Sequence, residues 1–311
     1  LINSSKSTAF SFEILPPLKG NSIQKVYNVI DKLIEFDPKY INITSHHSEY
    51  IYKTLPDGSF QKVNIRKRPG SVAIASAIQN KYGITAVPHI ICKGFTKDET
   101  EYALIDLNFL GVYDLLLLRG DVKTLEAGQK TDIYHDHATD LQQQVNDFNK
   151  GIAIDGSVFE ANETPFSYGM ACYPEKHEEA PNMESDIFYL KEKVKNGADY
   201  LVTQMFFDNE KYYAFVDRCR AEGITVPIIP GIKPIVFKNQ LTVLPKIFRS
   251  DIPEPFATEL RKCKTDDEAK AVGVEWCIQQ CKDLIAHGVP SLHFYTMMAS
   301  DSVYKVAKEV Y

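Results

Sequence analysis

Eight alternations of a short apolar run with a longer helical pattern, a start on a strand and an end on a helix, and polar residues gathered just past the carboxyl ends of the runs together predict a single (β/α)8 TIM-type barrel. Chemistry in such barrels sits at the carboxyl ends of the strands, so the third observation is independent of the first two. A doubly wound open sheet is the alternative, because periodicity does not report closure.

The first run is Phe10 to Ile14, followed by a helical stretch from Ile23 to Phe36. The second run, Tyr40 to Thr44, leads into an insertion and a helix from about Ser71 to Tyr82. The insertion reads as a hairpin, with Tyr50 to Lys53 and Phe60 to Ile65 flanking the turn Pro56-Asp57-Gly58. Ala86 to Cys92 is the third run. Its helix opens at Thr96, where Glu99 completes a capping box, and closes at Gly111. The fourth, Tyr113 to Leu118, contains four consecutive leucines, as a strand covered on both faces requires, and a helix over Ala138 to Lys150 follows. Phe166 to Tyr173 is the fifth, with a helix capped by Ser185 and ended by Gly197. Tyr200 to Phe207 and Val226 to Ile232 are the sixth and seventh, and Ser291 to Thr296 is the eighth, followed by a helix to Tyr311. Residues 1–311 are expected to form one domain, with the hairpin at about 46–70 and extra helices at about 253–288.

Composition narrows the class. The 311 residues carry 35 basic and 41 acidic side chains, a balance that speaks against a general nucleic-acid binder. No run approaches the roughly 18 apolar residues of a membrane span, and no signal core opens the chain. The six cysteines form no C-x-x-C pair and read as buried thiols of a reducing compartment, so the cytoplasm is expected. Cys277 and Cys281 lie one helical turn apart and read as core residues.

The strand ends bring together Glu13, Thr44, Ser45 and His46, His89 with Cys92, Arg119-Gly120-Asp121, Tyr173 through His177, Gln204 and Tyr295. A polar rim around an apolar core is the usual form of a small-molecule site. Glu13 is flanked by Phe12, Ile14 and Leu15. Poor solvation and the charge of Asp121 would both raise its pKa and suit it to general acid work. An ionised Glu13 at the base of the Pro16-Pro17 turn is the alternative. No two of the 16 glycines stand as G-x-G, and no Walker loop is present, so a dinucleotide would have to lie on the rim. Arg119, His177 and Lys193 are the donors for it there. His46-His47 and His135-x-His137 do not make a metal pattern on a strand, so no metal is expected. A Schiff-base aldolase needs a lysine inside the barrel. The eight runs contain none, and Lys233 stands just past the seventh.

Several of these segments carry a family resemblance. The run from Phe10 to Pro17, Pro88-His89 with Cys92, Leu118 to Asp121, Tyr173-Pro174-Glu175 with His177, Thr203-Gln204 with Phe206 to Asp208, Pro230 to Ile232 and His293 to Thr296 resemble, in order, the motifs of methylenetetrahydrofolate reductases. The resemblance implies a barrel holding FAD non-covalently at its rim, the short form without a regulatory extension. It implies reduction of that flavin by NADH or NADPH, then transfer of the hydride to 5,10-methylenetetrahydrofolate, giving 5-methyltetrahydrofolate for methionine synthesis. Glu13 matches the family's general acid, and Asp121 the carboxylate near flavin and folate. Flavin binding would fall to Thr44, Ser45, His47, His89, Arg119, Gly120, Asp121, Tyr134, Tyr173, His177, Ala180, Asp186 and Lys193. Substrate contacts would fall to Asp121, Gln204, Phe237 and Tyr295. A homo-oligomer is expected, with no nucleic-acid or membrane partner.

Two departures stand out. Ser45-His46-His47 replaces the Tyr-Gly-Ala of many bacterial members, and Met298-Ala299 replaces an Asn-Arg pair. The basic run Arg66-Lys67-Arg68 is the candidate to replace the lost arginine toward the folate glutamate tail.

Overall fold

The computed structural model describes residues 7–46, 49–120, 133–297 and 299–311. β1 (Ala9–Ile14) precedes α1 (Gln24–Leu33) and a 3-10 turn (Ile34–Phe36), and β2 (Tyr40–Ile43) precedes the hairpin β3 (Glu49–Thr54) and β4 (Phe60–Ile65). There follow α2 (Ser71–Tyr82), β5 (Thr85–Ile91), α3 (Lys97–Phe109), β6 (Asp114–Leu118), α4 (Ala138–Asn149), β7 (Ser167–Cys172) and α5 (Met183–Lys195). Then come β8 (Tyr200–Thr203), α6 (Asn209–Ala221), β9 (Ile228–Ile229), β10 (Gly231–Ile232), α7 (Gln240–Phe248), α8 (Glu254–Lys262), α9 (Asp266–Ala286), β11 (Ser291–Tyr295) and α10 (Ser300–Val310).

Among the described residues nine strands join in the order β10-β11-β1-β2-β5-β6-β7-β8-β9, apart from the separate β3-β4 pair. Neighbours follow chain order without the reversal that defines a doubly wound sheet. The two ends of the series, β9 and β10, flank Pro230, so they are halves of one strand. Proline has no N–H to offer a ladder, and the expected seventh strand is split there. β9 pairs with β8, β10 pairs with β11, and the Pro230 carbonyl accepts from His293 N at 3.1 Å. The fold class is therefore the (β/α)8 barrel.

The chain divides into two compact units, Leu1–Ile14 with Asn28–Asn42 and Tyr168–Tyr311, and Leu15–Tyr27 with Ile43–Ser167. In the first, Met205, Phe207, Ile235, Leu244, Phe256 and Leu260 form a core that α8 and α9 close. Trp276 stacks on Phe256 with centroids 4.5 Å apart and donates its indole N–H to the Phe207 carbonyl at 3.1 Å. This core explains why the sixth strand is shorter than expected. Met205 and Phe207 leave the ladder after Thr203 to fill it. The extra helical region consists of α8 and α9, divided where Thr265 starts α9 afresh with a capping box on Glu268. α5 likewise begins earlier than expected: Asn182, not Ser185, is its cap, accepting from Ser185 N at 2.8 Å.

In the second unit Leu115, Leu116 and Leu117 of β6 are buried, as are Leu104 and Leu107 of α3 and Leu141 and Val145 of α4. The Thr96 capping box is present as read, with Glu99 N on Thr96 Oγ1 at 3.0 Å and Thr96 N on Glu99 Oε2 at 2.9 Å. The hairpin is a two-stranded antiparallel ladder turning at Gly58, whose φ of 82° suits glycine. The six cysteines are buried and free. Among the described residues no helix is long and apolar enough to cross a membrane.

Candidate active site

In the first unit Glu13 stands near the carboxyl end of β1, directly opposite Tyr295 of β11. Its carbonyl accepts from Thr296 Oγ1 at 2.6 Å, which ties the two strand ends together. The Tyr295 hydroxyl donates to the Thr203 carbonyl at 2.6 Å, bridging β11 and β8. Part of the Glu13 residue remains accessible, yet its carboxyl is closely surrounded. Burial pushes it up to about 8, against the pull of the Lys233 ammonium. Glu13 is thus an acid held protonated at neutral pH, as its apolar flanks suggested.

Beneath it lies a buried polar layer that the apolar reading of the strands did not foresee. Ser11 Oγ meets His293 Nδ1 at 2.9 Å, and Tyr40 stacks on the His293 ring with centroids 5.8 Å apart. Asn42 and Ser291 are also fully buried. Desolvation holds His293 down to about 3, so its imidazole is neutral.

These two groups set a pH signature of opposite signs. The folded Glu13 pKa lies above its ordinary value, so its contribution is full below about 4.5 and is lost as pH rises through about 8. The folded His293 pKa lies below its ordinary value of 6.5, so its contribution grows as pH rises from about 3 to 6.5. The two oppose each other between 4.5 and 6.5. From 6.5 to 8 Glu13 acts without that opposition, and stability is expected to fall by about 1 kcal/mol across this window. Urea denaturation at pH 6.5, 7.2 and 8 measures it. A Glu13→Gln variant that keeps the same slope would assign it elsewhere.

The loop between β7 and α5 carries three of the predicted residues, and α5 itself carries two more. Tyr173 packs edge-on to His177 at 4.7 Å, and His177 N donates to Asp186 Oδ2 at 2.8 Å. Ala180 N donates to the His177 carbonyl at 3.1 Å, while Lys193 Nζ donates to the Ala171 carbonyl at 3.0 Å. Glu175 pins this loop from below. It accepts from Lys211 Nζ at 2.7 Å and from Asp251 N at 3.0 Å, and burial raises its pKa. Gln204 N donates to the Cys172 carbonyl at 2.9 Å, and its side-chain Oε1 accepts from Met205 N. Phe237 is 51% exposed on the segment after β10, so its ring is open to a ligand.

In the second unit Thr44 Oγ1 meets His46 Nε2 at 2.9 Å. Ser45 Oγ bonds Ser71 Oγ at 2.9 Å and the His89 carbonyl, so it braces β2 against β5 and α2. His89 is buried, and the Arg119 carbonyl accepts from Lys93 N at 3.0 Å, extending the β5–β6 ladder. Gly120 has φ 82°, and a Cβ there would stand 3.3 Å from Ile91 Cβ, so only glycine fits without strain. Tyr134 is half-buried beside His135, whose Nε2 meets Gln144 Oε1 at 2.6 Å. His47, Asp121 and Met298 lie outside the described residues.

The basic run on this unit has internal partners. Arg66 pairs with Glu99 at 3.0 Å, Lys67 with Glu49 at 2.5 Å, and Arg68 donates to the Pro16 carbonyl. These contacts weaken the case for an anion site on that run. Sequence reasoning gave Lys233 no part beside Glu13. The signal was a lysine directly after an apolar run, where 3% exposure now places it.

Fold and site together define a (β/α)8-barrel protein with a protonated carboxylic acid at the end of its first strand. Residues 1–311 match the family described as methylenetetrahydrofolate reductase, and the chain belongs to that family. It is similar to the probable methylenetetrahydrofolate reductase (NADPH) of Caenorhabditis elegans, 30% identical over 307 residues. It is also similar to methylenetetrahydrofolate reductase (NADH) 1 of Arabidopsis thaliana, 29% identical over 306 residues. These matches take in 98% and 95% of this chain but only 42% and 47% of those proteins. The 5,10-methylenetetrahydrofolate reductase of Escherichia coli (strain K12) is 30% identical over 297 residues, 95% of this chain and 88% of that protein.

Proposed function

We propose that this chain reduces 5,10-methylenetetrahydrofolate to 5-methyltetrahydrofolate with FAD as cofactor and NADH or NADPH as electron source, and that residues 1–311 act as one catalytic domain. The observation that carries the reading is Glu13, an acid whose pKa burial raises to about 8. Opening the methylene bridge of the folate requires a proton on the departing nitrogen, and a carboxyl that is protonated at pH 7 can give it.

The residue types suit a flavin dinucleotide: His177, Lys193 and Arg119, the last with its fork of donors, are side chains of the kind that hold phosphate groups. Bound FAD would supply hydride transfer, and the family resemblance assigns its contacts to the thirteen flavin positions named above, His47 and Asp121 among them. Asp121, Gln204, Phe237 and Tyr295 would contact the substrate, with the Phe237 ring stacking on it. A homo-oligomer belongs to this reading. Six free, buried thiols accord with the cytoplasm.

The test is an absorbance spectrum of the purified protein, followed anaerobically. Flavin bands that bleach with NADH or NADPH and return with methylenetetrahydrofolate support both half-reactions. Flavin that bleaches and never returns removes folate as substrate, and a protein that binds no added FAD overturns the proposal.

A further inference from the structure

Lys233 follows β10 directly and is 3% exposed. In the parallel ladder Gly231 stands opposite His293 and Ile232 opposite Phe294, while Glu13 stands opposite Tyr295 on the other side of β11. One step further along, Lys233 comes level with Tyr295. Glu13, Tyr295 and Lys233 therefore form one row across β1, β11 and the end of β10.

Side chains alternate along a strand, so parity fixes their face. The Ser11–His293 hydrogen bond puts residues 11 and 293 on one face, and Glu13, Tyr295 and Lys233 share it. Gly231 confirms the arrangement. A Cβ there would run into the Tyr295 ring, with the Tyr295 hydroxyl at 2.7 Å, so the ring occupies the place of a missing side chain. Two strand spacings put the Glu13 and Lys233 backbones about 10 Å apart, within joint reach of the two side chains.

A buried ammonium is costly, and a nearby carboxyl that can ionise offsets part of that cost. Among the described residues, Glu13 is the carboxyl whose field acts on Lys233, and Cys277 of α9 is its other ionisable neighbour. Tyr295 also faces Glu13, and Tyr40, Tyr173 and Cys172 face Tyr295. Burial pushes Tyr295, Tyr40 and Cys172 upward, so all three stay neutral near pH 7.

We propose that Lys233 is the positioning residue for the acid: its ammonium sets the proton affinity of Glu13 and holds the carboxylate that forms when Glu13 gives up its proton. The inference rests on the reading of Glu13 as general acid. In that step the Glu13 O–H bond breaks, an N–H bond forms on the departing folate nitrogen, and no electrons change hands. A carboxylate remains beside an ammonium, and a proton from solvent restores the acid. Burial raises Glu13 to about 8 and lowers Lys233 to about 8, so the two titrate as a coupled pair.

Lys233→Met tests this, because it removes the charge at nearly constant volume. The Glu13 carboxylic C=O stretch, assigned in infrared difference spectra by its loss in Glu13→Gln, is expected to persist about one pH unit higher than in the wild type. The alkaline limb of the folate half-reaction is expected to move upward with it, and the rate at pH 7 to fall several-fold. Lys233→Arg, which keeps the charge, returns both toward wild type. If Lys233→Met does not fold, the Lys233 side-chain NMR titration is compared between wild type and Glu13→Gln, where loss of the partner lowers it. An unchanged Glu13 titration in Lys233→Met, or an unchanged Lys233 titration in Glu13→Gln, overturns the inference. A wild-type protein that titrates as expected but never reduces methylenetetrahydrofolate sinks the functional reading instead.

Discussion

On the proposed function, Glu13→Gln is expected to slow reoxidation of the reduced flavin by methylenetetrahydrofolate roughly 10²- to 10⁴-fold, the usual worth of a positioned general acid. Reduction of the flavin by NADH or NADPH stays within a few-fold of wild type, because hydride delivery from a nicotinamide needs no proton from this side chain. Glutamine matches the shape of the protonated acid but cannot donate its proton to a leaving amine. Anaerobic stopped-flow of the two half-reactions separates the effects, and equal losses in both would mean that Glu13 serves flavin binding instead. Because Glu13 is itself neutral at pH 7, Glu13→Gln leaves the charge around Lys233 unchanged there and is not expected to lower the urea midpoint; the loss of a charge partner arises only as pH rises through about 8, where Glu13 would ionise. A Glu13–Lys233 double-mutant cycle above that pH measures the coupling.

Glu13 was legible because its neighbours in sequence, Phe12, Ile14 and Leu15, already imply poor solvation. The β7–α5 loop was legible in the same local way, since Tyr173, His177, Ala180 and Asp186 lie within 14 residues of one another. Lys233 was not, because what makes it matter is strand register. It lies 220 positions from Glu13 and reaches it only through β11. The polar layer of Ser11, Tyr40 and His293 was hidden for the same reason: each is a lone polar residue in an apolar run. The split of the seventh strand, by contrast, could have been read from Pro230 alone, since a proline in a central strand argues against an unbroken ladder. The Arg66 to Arg68 run shows a different limit. A cluster of charges in sequence says nothing of the carboxylates and carbonyls that fold against it, here Glu99, Glu49 and the Pro16 carbonyl.

Gly273→Ala is expected to destabilise the protein by about 2 kcal/mol, the opposite of what helix propensity predicts. Gly273 lies inside α9, where alanine is favoured over glycine by about 1 kcal/mol. A Cβ at this position, however, would drive into the Ile235 carbonyl, with the Ile235 carbonyl carbon at 2.8 Å and its Cα at 3.1 Å. The obstacle is backbone on both sides, so no rotamer relieves it, and overpacking of this kind costs about 1–3 kcal/mol, occasionally more. The segment that must yield is the one that carries Lys233 and Phe237. α9 also holds it through Lys238 N, which donates to Asp266 Oδ1 at 2.9 Å, and Gln240 Oε1 accepts from Val236 N at 2.7 Å. Displacing it should therefore move the alkaline limb of the pH profile and raise the folate KM, besides lowering Tm. Gln279→Ala, at an exposed position on the same helix, is the control and is expected to stay within about 0.5 kcal/mol of wild type. A Gly273→Ala protein more stable than wild type would mean that α9 does not pack this closely on Ile235, and the support of Lys233 from that side would go with it.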